Sequence, residues 1–399
     1  MGSFGWLGVS LFLWSTAYNM ALPFLPLTAA ALGAAPSQVG LVQGVAYAGA
    51  ALALLPAGWL ADRCSRRSAL FGTWTIGAGG TLLMAVAGSW RAMLPGAFLM
   101  LAGAGAMPAL AALAAEVAPV SGRRRAMNVV FAAAPGGLLV GSSVGGLMAD
   151  TWGLRPLFVA AAGVTLLAML PLLLVADRHV AERGLDGAGG GQGGPSGGHL
   201  ARLMPVAVPA GFAYALLALP SGFLTPYLRD VVGLSLTGTG ITNAQLAVGQ
   251  LAWSGLFAVW PGELGRIQIT FGPVRGLQFG RGTLLALSVC LGANAVFGFM
   301  FTAGGAALVV LAPLLRGALF SLQPLGMALV AEMTGTGTGL AGRLSLLALV
   351  VGAATAVAPI VAGLLYAVHP AWPFVVASLA AGLGLAALLV VRVMARPVA

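Results

Sequence analysis

The sequence predicts an all-α polytopic membrane protein, with twelve transmembrane helices arranged as two six-helix parallel pseudo-repeats. Three observations lead there. The 399 residues are 59% hydrophobic and only 7% charged, with 60 glycines and no lysine, where a soluble chain carries about a quarter charged residues. Several stretches run for about 18 or more apolar residues, enough to cross a bilayer as a helix. The two halves of the chain also echo each other.

The apolar runs place six spans at roughly 4–30, 37–60, 69–88, 93–116, 128–149 and 156–176. Six more fall at roughly 203–226, 240–260, 283–302, 307–331, 344–366 and 372–391. The runs are continuous rather than alternating, which fits helices and not barrel strands. The first span has neither a basic leader nor a plausible cleavage site and is read as a retained helix. With both termini in the cytoplasm, 15 of the 19 arginines fall on the cytoplasmic side: Arg63, Arg66, Arg67, Arg123, Arg124, Arg125, Arg178, Arg183, Arg202, Arg266, Arg275, Arg281, Arg343, Arg392 and Arg396. Such an asymmetry sets orientation. It also accounts for the net charge of +10 without a nucleic-acid surface. The expected location is a bacterial plasma (inner) membrane. Cys64 and Cys290 lie in a loop and in a span, so no disulfide is expected between them. The three histidines have no metal-ligand spacing, and no nucleophile stands near a base. No cofactor and no enzymatic activity are expected.

Residues 187–198, "GAGGGQGGPSGG", form a glycine-rich tether without a core of its own. It divides the chain into a first half (1–176), a cytoplasmic linker (177–202) and a second half (203–399). Pro108 and Glu116 in "MPALAALAAEVAP" are matched, at the same spacing, by Pro324 and Glu332 in "QPLGMALVAEMTG". "GSSVGG" at 141–146 lines up with "APIVAG" at 358–363, and "LG" at 32–33 echoes "VG" at 232–233. Parallel repeats of this kind form a binding site at their interface and alternate access by rocking, within one chain.

The densest charge in the chain, "GWLADRCSRR", sits between spans two and three. It resembles the loop 2–3 signature of the major facilitator superfamily: Gly58, Leu60, Asp62, Arg63, Arg66 and Arg67 match, and Ser65 departs from the usual glycine. "GLLVGSSVGG" in span five looks like the glycine motif of that superfamily's antiporters through Gly137, Gly141, Gly145 and Gly146, with Ser142 in place of a proline. The nearest likeness is to the twelve-span drug and metabolite efflux antiporters. The resemblance implies secondary transport by alternating access, with an inner gate in which Asp62 meets a helix N-terminus of the other half and the arginines meet Glu116. Anchoring of topology is the plainer role for the same arginines, and solvated carboxylates the plainer role for Glu116 and Glu332. Proton-coupled relatives often carry an acid in spans one, four or seven, and drug antiporters an arginine in span four. Here the middle of those spans has no acid, and positions 99 and 100 are Leu99 and Met100.

Arg316 is the one charge deep inside a span, 16 residues before Glu332 and so about 24 Å along the helix. Placing it there costs at least ~2.5–3.5 kcal/mol. Its two readings are an anion-binding or coupling residue and an arginine that snorkels or bonds backbone carbonyls. The remaining cavity candidates are Tyr18, Asn19, Gln43, Tyr47, Tyr214, Asn243, Gln245 and Gln323. For any single Tyr or Gln among them, interhelical hydrogen bonding is the plainer role and the one expected first. Together they describe a sparse, aromatic-lined cavity suited to an amphiphilic compound rather than a sugar. The expected function is efflux of an amphiphilic or hydrophobic small molecule, with protons as the candidate coupling ion; the alternative is import or facilitated passage of an organic anion held by Arg316. The expected partners are this small molecule and membrane lipid, with a monomer sufficient.

Overall fold

The computed structural model describes residues 2–63, 65–117, 123–175, 211–258, 266–271, 274–303, 305–320, 340–394 and 396–397. The described part of each of the twelve expected spans falls largely on helix, and nine helices among the described residues are long and apolar enough to cross a membrane. Span one is broken: Ser3–Ala21 and Leu25–Ala31 flank a 3-10 turn at Leu22–Phe24, which contains Pro23. Span seven breaks in the same way at Leu219–Gly222, around Pro220, before Leu224–Asp230. In each case proline removes a backbone donor and forces the ladder to tighten or stop. A third break, at Gly103–Ala106, divides span four ahead of Pro108. The connection between spans eight and nine carries two antiparallel strands, Arg266–Phe271 and Val274–Gly280, with Arg396–Pro397 on the free edge of the first. The β-branched, alternating "RIQITF" suits a strand, and its shortness keeps it outside the spans.

The chain folds as two compact units that do not follow the sequence halves. One comprises residues 1–191, 221–247 and 355–370; the other comprises 192–220, 248–354 and 371–399. In the first unit Leu7, Leu11, Leu70, Trp74, Leu110, Leu113 and Leu172 share a buried core. Hydroxyls pin span one to its neighbours, Ser10 donating to the carbonyl of Ala168 (2.6 Å) and Ser15 to that of Ala134 (2.7 Å). In the second unit Phe301 stacks on Phe374 at 4.4 Å, beside Phe297. Large apolar side chains such as Leu139, Leu147, Leu170 and Leu383 face outward, as a surface meant for lipid tails requires.

The repeat read in sequence has a structural counterpart. Gly33 and Gly233 both end helical turns with positive φ, 85° and 82°, a conformation glycine adopts without strain. Gly40 of span two packs against Pro359 and Gly363 of span eleven, and Gly240 of span eight packs against Ser142 and Gly146 of span five. These are equivalent crossings, since the repeat pairs Gly40 with Gly240 and Gly146 with Gly363. Likewise Gly49 presses on the carbonyl of Phe98 and Gly249 on that of Leu314. Close backbone approach at small residues is how helices associate when lipid supplies no hydrophobic drive.

Candidate substrate pathway and gates

The sequence singles out three sets of residues for function, and they have different structural surroundings. The glycine motif of span five is a packing rail. A methyl group at Gly137 would lie 2.6 Å from the Phe12 carbonyl oxygen, one at Gly141 would sit on the Thr16 carbonyl, and one at Gly145 would lie 2.7 Å from the Met20 carbonyl. All three carbonyls belong to span one, so the rail fixes how closely spans one and five approach. Gly146 faces elsewhere: its added methyl would meet the Leu236 carbonyl at 2.5 Å and Gly240 at 3.0 Å. Ser142, which replaces the motif's proline, is fully buried.

In the loop motif, Gly58, Asp62 and Arg63 belong to the helix Pro36–Arg63, and Glu116 to Met107–Val117. Their side chains lie outside the described residues. Arg66 and Arg67 open the helix Arg66–Val86. Arg67 donates from Nη1 to the carbonyls of Leu173 (3.3 Å) and Val175 (3.2 Å) at the end of span six, satisfying carbonyls that a helix end leaves free. Ser65 is the N-cap of span three, accepting the Ser68 N–H at 3.0 Å. A glycine there would lack that side-chain acceptor, which gives a local reason for the departure from the motif.

Among the cavity candidates in the first unit, Tyr18 stacks on Trp14 at 5.1 Å, and Trp14 stacks in turn on Trp74 at 5.7 Å. Trp14 and Tyr18 line a small cavity together with Thr81, Met100, Gly103 and Thr165. Asn19 bonds back to Ser15 at 2.8 Å. Gln43 is buried and donates to the Gly222 carbonyl at 3.0 Å, a tie between spans two and seven. Asn243 donates to Thr225 Oγ1 at 3.2 Å and to the Thr239 carbonyl at 2.9 Å. Tyr47 is half-buried. Gln245 has a buried Oε1 with no hydrogen-bond donor among the described residues, the kind of group that an entering ligand or water would satisfy. Gln323 and Glu332 lie outside the described residues.

In the second unit Arg316 is 2% exposed. It donates to Asn294 Oδ1 at 3.1 Å, and its guanidinium lies 5.1 Å from the centre of the Phe297 ring. Asn294 is held by its own bond to the Cys290 carbonyl, 2.9 Å. Arg316 therefore joins spans nine and ten and does not snorkel. Tyr214 packs by Leu217, Leu319 and Ala381. Asn294 was missed in the sequence, although a lone asparagine in the apolar run "SVCLGANAVFGF" was the available signal. Asp150 was missed as well. Its carboxylate accepts the Leu236 N–H at 3.0 Å, the Thr237 N–H at 2.6 Å and the Thr237 hydroxyl at 2.5 Å.

Residues 7–342 match the Major Facilitator Superfamily. The chain is 30% identical over 309 residues to the "Multidrug resistance protein MdtG" of Serratia proteamaculans (strain 568), covering 72% of this chain and 69% of that one. It is 34% identical over 175 residues to the protein of the same name from Enterobacter lignolyticus (strain SCF1), covering 42% and 41%. Among solved structures it resembles a point mutant of the nucleoside transporter NupG, with a TM-score of 0.80 at 14% identity over 98% of this chain and 100% of that one. It also resembles a bacterial homologue of the human lysosomal transporter Spinster in an inward-facing and occupied conformation, with a TM-score of 0.66 at 15% identity over 98% and 96%. At such identities the structural likeness is one of fold.

Proposed function

The chain belongs to the Major Facilitator Superfamily as an integral membrane transporter, and from that premise we propose that it exports amphiphilic small molecules by alternating access. The observation that carries the reading is the span-five rail. Three of its glycines clamp span five to span one and the fourth meets span eight, so span five joins the interior of the first half to a helix of the second. Relatives carrying the name multidrug resistance protein support efflux as the direction. The sparse aromatic surface around Trp14 and Tyr18 supports an amphiphilic substrate, which binds through apolar area and few polar contacts.

On this reading both termini are cytoplasmic, the linker joins the halves on that side, and one chain forms the whole pathway. Asp62 and Glu116 belong to the inner gate, and protons are the coupling ion. Cells expressing the protein should accumulate less of a lipophilic cationic dye, and a protonophore should abolish the difference. Equal accumulation across a panel of dyes would contradict the proposal.

One observation favours a second reading. Arg316 is a buried cation that keeps a polar partner in Asn294, a setting that could bind an organic anion. Uptake of radiolabelled organic anions that is lost in Arg316→Ala would move the assignment to import.

A further inference from the structure

Asp150 lies at the end of span five, one helical turn beyond the crossing of Gly146 with Gly240. Its two oxygens take the N–H groups of Leu236 and Thr237, and one also takes the Thr237 hydroxyl. Those amides open the helix Leu236–Ala258, span eight. The next amide, Gly238, is met by Ser235 Oγ at 3.0 Å, and that of Thr239 by the Ser235 carbonyl at 2.9 Å. A helix start leaves its first amides without intrahelical acceptors, usually to be capped from the residue just before. Here two of them are capped by a carboxylate 86 and 87 positions away in the other half of the chain, where the helix dipole also favours an anion.

The repeat supplies an internal comparison. Span two begins at Pro36, the counterpart of Leu236 in the same register that pairs Gly40 with Gly240. Ala367 is the counterpart of Asp150 in the register that pairs Gly363 with Gly146. At the equivalent crossing of spans two and eleven, proline has no N–H to offer and the alanine side chain has no acceptor. The crossing of spans two and eleven thus lacks the acceptor and one of the two amide donors, while Ser37, the counterpart of Thr237, keeps its own N–H.

We propose that Asp150 is a clasp that holds the two halves together at the end of the molecule where spans five and eight meet, and that releasing it is a step of the transport cycle. Opening that end separates span five from span eight and leaves the Leu236 and Thr237 amides to water. Both crossings bring backbones close, at Gly40 with Gly363 and at Gly240 with Gly146, and the clasp adds to the second a polar, geometrically specific contact. On the proposed topology this is the outer end, and the clasp is independent of which substrate is carried.

The test is a distance measurement by pulsed electron resonance on the full-length protein. Spin labels are placed at Trp152→Cys and Val231→Cys, both exposed, with Cys64→Ser and Cys290→Ala. Asp150→Asn keeps the size of the side chain but removes its charge and one acceptor oxygen. Leu236→Pro removes one donor and reproduces Pro36 of the other repeat, at a first helical position that tolerates proline. Each should raise the ratio of long to short distances about ten-fold, as loss of charge-assisted hydrogen bonds implies, and the double variant should add little to either. Unchanged distances in the single variants would overturn the clasp. So would fully additive effects, which would mean that the two sites act independently. Gel filtration checks folding; if Asp150→Asn does not fold, Leu236→Pro decides by the same criterion. No dye export by the unmutated protein, together with the expected distance shift in the variants, would count against the export proposal and leave the clasp standing.

Discussion

Gly141 shows how tightly single residues are constrained here. Its missing side chain lets the Thr16 carbonyl of span one lie directly on span five, and a Cβ can enter only if one helix moves. Overpacking of this kind costs about 1–3 kcal/mol. Gly141→Ala should therefore lower the melting temperature of the detergent-solubilised protein, whereas Gly79→Ala, with open space around it, should not. Asp62 is constrained by charge instead. An acid beside Arg63, Arg66 and Arg67 is not needed for orientation, and in the proposed inner gate its carboxylate meets a helix end. Asp62→Asn should abolish transport at unchanged membrane abundance, as measured by dye export against quantitative blotting. Arg316, enclosed by Asn294 and Phe297, should change apparent substrate affinity several-fold on Arg316→Ala if it serves the pathway. Identical transport kinetics would assign it to the packing of spans nine and ten.

The helices were legible in sequence because bilayer length and continuous hydrophobicity leave few alternatives, and the breaks in spans one and seven fall at Pro23 of "ALPFLP" and Pro220 of "ALPSGFLTP". The break at Gly103–Ala106 was not foreseen. It involves a glycine-rich stretch just before Pro108, where several positions could absorb the bend. Strands after span eight were hidden because a short alternating run between two spans looks like any polar connection. The site was less legible than the fold. Gln43 and Asn243 were singled out as polar cavity residues, yet they bond Gly222 and Thr225, and sequence position alone cannot tell a lining amide from a tie. Asp150 gave no signal because its partners lie 86 and 87 residues away. The linker at 177–202 lies outside the described residues. On the sequence reading of 187–198 as a glycine-rich tether, removing three residues from it should leave both abundance and export unchanged.

Across the whole molecule the repeat organises these features. The equivalent crossings at Gly40 with Gly363 and at Gly240 with Gly146 tie the two sequence halves within one compact unit, and proline breaks fall in spans one and seven alike. Two similar halves joined at such crossings are suited to rocking about a central site. Energised export is then the central claim. Its most direct test is purified protein in liposomes with an imposed pH gradient, following a fluorescent lipophilic dye. The account expects the dye to move against its own gradient, opposite in direction to protons, and to stop moving when the pH gradient is collapsed. Dye that only equilibrates, at a rate indifferent to the pH gradient, would contradict it.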